Sequence, residues 1–126
     1  MGLFGFGKKK ESSKEYKYNM LFNSPIDNDR NQQIKTLALK RIGDAGVDVN
    51  DVKTTSFGEY GSRGDFTGQP GESISIECAS TPTMESSSSY IAITVKSNLC
   101  SEEAIRQAFQ EIRSEVYDMG YGFTEY

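Results

Sequence analysis

Two segments in the second half of the chain alternate between apolar and polar side chains, and this alternation limits the fold more than any other feature. In residues 72–79 the apolar side chains Ile74, Ile76 and Cys78 share one side of an extended chain. Residues 90–97 repeat the pattern, with apolar side chains at 91, 93 and 95. Such strands bury one face of a sheet and leave the other face in water, so we expect a sheet that is covered on one side only.

Two further segments have the helical spacing needed to supply that cover. Residues 102–119 have an apolar stripe at three- and four-residue intervals, with Ser101 as the predicted N-cap and Gly120 closing the helix. Residues 31–45 have a second stripe, for which Asp29 or Asn31 is the predicted N-cap and Gly46 the predicted C-cap. The two stripes consist of Ile105, Ala108, Phe109, Ile112 and Val116, and of Ile34, Leu37, Ala38, Ile42 and Ala45.

The remaining strands are predicted from composition and alternation. Residues 16–22 alternate, with Tyr16, Tyr18, Met20 and Phe22 on one face, and residues 52–60 are rich in β-forming side chains. Residues 61–71 and 80–89 are predicted as loops, and residues 121–126 as a candidate edge strand. We therefore predict an α+β fold in the order β-α-β-β-β-α: a two-layer sandwich with a four-stranded, mainly antiparallel sheet and two helices on one face.

The distribution of charge divides the chain into a tail and a body. The chain has 126 residues and a net charge of −4. Four lysines and one glutamate give residues 1–14 a charge of +3, so the remaining 112 residues carry −7. We predict a disordered basic and apolar tail over residues 1–14 and a single domain over residues 15–126. Because an acidic body repels phosphate groups, we expect no nucleic-acid partner.

The absence of histidine excludes several kinds of chemistry. Histidine is the usual general base near neutral pH and the commonest metal ligand, so Ser-His-Asp triads, Cys-His pairs and mixed Cys-His zinc sites are ruled out. The sequence indicates no cofactor and no metal. The two cysteines, Cys78 and Cys100, are too few for a disulfide scaffold and predict free thiols in a cytoplasmic protein. Cys100 precedes a predicted helix, where the helix dipole could acidify its thiol.

The tail is a candidate for contact with a membrane surface. Leu3, Phe4 and Phe6 supply apolar side chains for the headgroup boundary, and the adjacent Lys8, Lys9 and Lys10 supply positive charge for anionic lipid. The glycines between them oppose helix formation, so the expected contact is weak and reversible.

The glycine-rich segment 61–71 is a candidate partner-contact loop. The segment lacks the following Lys-Ser/Thr of a phosphate-binding loop, so its glycines predict a mobile hairpin loop. Tyr60, Arg63, Asp65 and Phe66 would form a small contact patch there, since binding residues are frequent on loops.

These observations favour a non-enzymatic cytoplasmic interaction or adaptor domain whose partner is a protein. Two alternatives stay open: a peripheral membrane accessory protein tethered by its N-terminal tail, and a small enzyme that uses carboxylates or a thiol. The sheet face opposite the helices is polar enough to be exposed to solvent, and it could also pair with a second copy of the chain. Its predicted side chains are Ser73, Ser75, Tyr90, Ala92 and Thr94.

Overall fold

A computed structural model describes residues 14–23, 26–56, 61–82 and 87–126. The described residues form one α+β domain with two helices and a six-stranded antiparallel sheet, in the spatial order β2-β3-β4-β5-β1-β6. The elements along the chain are β1 (Lys14–Phe22), α1 (Asn28–Ala45), β2 (Val49–Ser56), β3 (Gly61–Gly68), β4 (Ser73–Pro82), β5 (Ser87–Ser97), α2 (Glu102–Asp118) and β6 (Phe123–Glu125).

The predicted fold class is confirmed, but the predicted four-stranded sheet is wrong, because the sheet has six strands in the described part of the chain. The segment predicted as a glycine-rich loop is strand β3 over Gly61–Gly68. Its glycines allow neighbouring backbones to approach closely. A Cβ atom on Gly61 would lie 1.9 Å from the Cys78 carbonyl oxygen, and one on Gly68 would lie 1.9 Å from that of Asp48. Glycine here serves close strand packing rather than flexibility.

The boundaries of the other strands also differ from the prediction. The segment predicted as a loop over residues 80–89 is partly strand, since β4 continues to Pro82 and β5 begins at Ser87. Lys14, assigned to the tail, is the first residue of β1. The short edge strand expected within residues 121–126 is present as β6.

The buried face of the sheet follows the predicted alternation. Ile76 lies opposite Ile93, and Ile93 lies opposite Tyr18 on the other side of β5. The rows above and below repeat this arrangement with the other alternating apolar residues. All these side chains therefore point to one face, where they form the core with the helices. The members of the two neighbouring rows are Cys78, Ile91 and Met20, and Ile74, Val95 and Tyr16.

Both helices cover this face, as the sequence predicts. All five stripe residues of α2 are buried, and the Ser101 side chain accepts a hydrogen bond from the Ala104 N–H at 3.2 Å. Helix α1 begins three residues earlier than predicted, because Asp27 rather than Asp29 or Asn31 is its N-cap. Gly46, with φ of +120°, ends it as predicted.

The helix layer is narrower than the sheet. Helix α2 packs over β1, where the rings of Tyr18 and Phe109 stack with centroids 5.3 Å apart. Helix α1 contacts β4 and reaches β3 through its Lys35 side chain, whose Nζ lies 3.3 Å from the Ser62 hydroxyl. Strand β2 lies beyond this cover, and its side chains from Asn50 to Ser56 are exposed.

Candidate functional site

The structure separates the residues predicted as a partner-contact loop. Arg63 and Asp65 project from β3 on the sheet face opposite the helices, which we call the open face. Phe66 projects to the helix side, where it is half-buried against the core. Arg63, Asp65 and Phe66, predicted on a loop, are thus on a strand, and Phe66 projects to the face opposite that of the other two. Tyr60 and the tail residues Leu3, Phe4, Phe6, Lys8, Lys9 and Lys10 lie outside the described residues.

The centre of the open face is a shallow trough with short side chains along its floor. One row of neighbouring residues crosses four strands in the order Asp65, Ser75, Thr94 and Lys17. The two hydroxyl side chains in the middle of this row are shorter than the charged side chains at its ends. Sheet geometry therefore produces a depression of about 320 Å³, lined by Glu15, Lys17, Arg63, Asp65, Ser73, Ser75, Thr94 and Lys96.

The β3 side of the trough carries an ion-pair network with one excess negative charge. The Arg63 Nε atom lies 3.1 Å from Asp65 Oδ1, and Arg63 Nη1 lies 3.7 Å from Glu77 Oε1. The Tyr90 hydroxyl donates a hydrogen bond to Glu77 Oε2 at 2.5 Å. This hydrogen bond, together with partial burial, raises the pKa of Tyr90 to about 12. Glu77 is thus held by a cation and a hydroxyl on the same face.

The opposite side of the trough carries one excess positive charge. Glu15 lies between two lysines, with 3.7 Å from its Oε1 to Lys17 Nζ and 3.8 Å from its Oε2 to Lys96 Nζ. All three side chains are substantially exposed, so these contacts are loose and contribute little to stability. The trough therefore separates a basic group of residues on β1 and β5 from an acidic group on β3 and β4.

One end of the trough is fixed by a buried carboxylate that the sequence analysis did not single out. Glu72 is 3% exposed and precedes β4. Its Oε1 accepts a hydrogen bond from the Ser97 hydroxyl at 2.6 Å, and its Oε2 accepts from the backbone N–H groups of Asn98 at 2.7 Å and Leu99 at 3.3 Å. Its neighbour Ser73 lies directly opposite Lys96 in the trough lining. An isolated glutamate in a polar segment gives no sequence signal for this role.

The two thiols lie away from the open face and are poorly suited to react. Cys78 lies in the core, where burial raises the pKa of its thiol to about 12. Cys100 is also buried, and desolvation, followed by the charge of Glu72, raises the pKa of its thiol. The thiol lies 3.1 Å from the Ala45 carbonyl oxygen. Its position before α2 therefore does not produce the acidified thiol that the helix dipole would favour.

The described part of the chain has no cluster of three acidic or thiol side chains placed to hold a metal ion. Within the same residues, neither helix has the length and apolar character needed to cross a membrane. The trough on the open face is lined by paired charges and hydroxyl groups.

Comparison of the chain with protein-family models, with curated proteins and with solved structures finds no match.

Proposed function

We propose that the chain is a non-enzymatic interaction domain that binds a protein partner through the open face of its sheet. The observation that carries this proposal is the trough, whose hydroxyl floor runs between Asp65 on one side and Lys17 on the other. The helices cover only the opposite face, so a partner can approach four neighbouring strands without displacing any part of the domain described here.

The chemistry of the trough favours a polar protein surface over a small molecule. Pockets for small ligands are mostly apolar and enclose the greater part of the ligand. The trough is instead lined by charged and hydroxyl groups. Its volume of about 320 Å³ is near the lower end of the range for such pockets. Polar contacts over a broad and shallow area are typical of non-obligate protein interfaces.

The charges of the trough indicate the partner's complementary pattern. A basic side chain of the partner would lie over Asp65 and Glu77, and an acidic one would lie over Lys17 and Lys96. Because the charges of the open face are already paired within the domain, they fix orientation and association rate more than affinity. Contacts to the floor at Ser75 and Thr94 would supply the buried centre of the interface.

A substitution in the floor tests this proposal without altering the core. Ser75→Arg places a long cation in the trough, whereas Gln33→Arg adds the same side chain to an exposed position of α1 and serves as the matched control. Each purified chain is immobilised and used to capture proteins from a lysate of the source cells, with quantitative mass spectrometry as the readout. We expect at least one protein to be retained by the wild type and by the control and lost from the Ser75→Arg variant.

Measurement with the purified captured protein completes the test. We expect the Ser75→Arg substitution to raise the dissociation constant about tenfold or more, which is the usual effect at the centre of an interface. Equal capture and equal affinity for both variants would show that the open face is not the binding surface. Urea unfolding of both variants verifies that each remains folded.

A further inference from the structure

We propose that the outer edge of β2 pairs antiparallel with β2 of a second copy of this chain, with the two-fold axis at Val52. This strand edge is separate from the trough, whose lining includes no residue of β2, although the Asp51 and Lys53 side chains project to the open face. Strand β2 is at one edge of the sheet, pairs only with β3 among the described strands, and projects beyond the helix layer. An edge strand of eight residues presents its outer N–H and C=O groups to any chain that can match them.

The hydrogen-bond pattern shows which residues face outward. The Gly68 N–H donates to the Glu72 carbonyl oxygen at 3.2 Å, so the Gly68 backbone faces β4. By alternation, the backbone N–H and C=O groups of Thr67 and Asp65 point toward β2, and those of their partners Asp51 and Lys53 point toward β3. The backbone groups of the intervening residues, Val52 and Thr54, therefore point away from the sheet.

A side-chain contact supports this orientation independently. The Val52 N–H donates a hydrogen bond to its neighbour's carboxylate oxygen, Asp51 Oδ1, at 3.0 Å. The edge N–H is thus capped by a side chain rather than paired with a strand. When a second strand arrives, its carbonyl oxygen can replace the carboxylate, which becomes available to a cation on the partner.

Charge complementarity selects a second copy in one register. In an antiparallel pair of identical strands, residues opposite each other share a face, so the two-fold axis passes through a residue. An axis at Val52 places Asp51 opposite Lys53 of the other copy, and this happens twice. Axes at 51 or 53 set like charges opposite each other, and axes at 50 or 54 bring no opposite charges together. Only one register near the middle of the strand is therefore electrostatically favourable.

The geometry of that register strengthens the charge pairs. The two Val52 residues form the hydrogen-bonded pair on the axis, so the neighbouring Asp51–Lys53 pairs are of the non-hydrogen-bonded kind, in which side chains lie closest. Val52 itself projects to the helix side, where it is 54% exposed beside an apolar groove of about 540 Å³. Pairing would bring the two valines together. The apolar side chains of this groove are Leu39, Val47, Val49, Val52 and Phe66.

Charge reversal provides the test. Asp51→Lys and Lys53→Asp each place like charges opposite each other at both symmetric positions, so we expect each single variant to self-associate about tenfold more weakly than the wild type. Sedimentation velocity of the full chain over a concentration series up to roughly 1 mM measures this association. An equimolar mixture of the two single variants restores opposite charges at both positions, and we expect it to dimerise as well as the wild type.

A backbone substitution controls for changes in side-chain packing. Thr54→Pro removes an outward N–H and leaves the ladder to β3 intact, so we expect a folded monomer. Circular dichroism and urea unfolding verify the fold of each variant. The proposal is overturned if the wild type stays monomeric over the whole series, if the single variants dimerise as strongly as the wild type, or if their mixture stays monomeric. The Ser75→Arg test of the trough stays distinguishable from these results, because the trough lining contains no residue of β2.

Discussion

The buried carboxylate of Glu72 provides the sharpest test of the structure, because three donors converge on it. Replacing Glu72 with alanine removes all three hydrogen bonds. Hydrogen bonds to charged groups contribute about 1.5–3 kcal/mol each, and an unsatisfied buried donor costs about 1–3 kcal/mol. Asn98 and Leu99 are exposed, so water can replace the carboxylate at their N–H groups. Ser97 is buried and cannot be hydrated in this way.

The expected loss of stability is therefore set mainly by Ser97 and by the buried methylene groups of Glu72. We expect Glu72→Ala to lower the free energy of unfolding by about 3 kcal/mol. We expect a loss of about 1–2 kcal/mol for Glu72→Gln, whose amide oxygen can still accept from the backbone while its amide nitrogen faces the Ser97 hydroxyl.

Urea unfolding measures both losses. For a domain of this size the slope is about 1–3 kcal/mol per molar urea, so Glu72→Ala should shift the midpoint by about 2 M. Glu103→Ala removes the same group from an exposed position at the start of α2, and we expect it to cost less than about 1 kcal/mol. If Glu72→Ala costs no more than this control, the carboxylate does not hold the link between β5 and α2, and the reasoning fails.

Local geometry also determines how two glycines, the two thiols and Tyr90 respond to perturbation. Gly43→Ala should stabilise the domain by about 0.5–1 kcal/mol, because a Cβ atom at this helical position meets no atom within 4 Å. Gly68→Ala should destabilise the domain by more than about 2 kcal/mol, because its Cβ atom would collide with a backbone carbonyl. Urea midpoints that moved in the same direction for both variants would refute this pair of predictions. Cys78 and Cys100 should react with a thiol reagent far more slowly in the native chain than in denaturant, and rapid native labelling would contradict their burial. The pKa of Tyr90 should be about 12 rather than the ordinary 10.0, as measured by subtracting the alkaline absorbance titration of Tyr90→Phe from that of the wild type. Because the folded pKa is raised, the stabilisation from this hydrogen bond is complete below pH 10 and is lost as the pH rises through 12. Ionisation of Tyr90 near pH 10 in the native chain would disprove the hydrogen bond.

The sequence predicted the elements in which local pattern and tertiary structure agree. The stripe of α2, its Ser101 cap and the alternation of β4 and β5 are all confirmed, because burial of one face enforces the period along each element. The start of α1 was missed by three residues, since several acidic and amide side chains near Asp27 are equally good caps by composition.

Strand β3 was missed because its glycines resemble a loop when read locally. What requires glycine at Gly61 and Gly68 is the approach of the Cys78 and Asp48 backbones, which belong to neighbouring parts of the fold and are distant in sequence. Propensity rules contain no information about such contacts. That omission accounts for one of the two strands beyond the predicted four, and the other is β6, which lies in the candidate edge strand at 121–126.

The candidate site depends on register, and a single sequence does not specify register between distant strands. Arg63 and Asp65 were identified as contact residues, and the outward positions of Ser75 and Thr94 follow from alternation. That these residues lie side by side is fixed by strand pairing across β3, β4 and β5. The contact between Glu72 and Ser97 likewise joins residues 25 positions apart.

Mapping the bound partner on the domain is the most direct test of the central claim that the open face is the binding surface. Backbone amide resonances of the isotope-labelled chain are followed during titration with the captured partner protein. We predict that the largest shifts cluster on Arg63, Ser75, Thr94 and Lys17, while the amides of exposed residues on the outer sides of α1 and α2 stay unchanged. Shifts concentrated on the helices, with the four strands unaffected, would contradict the account.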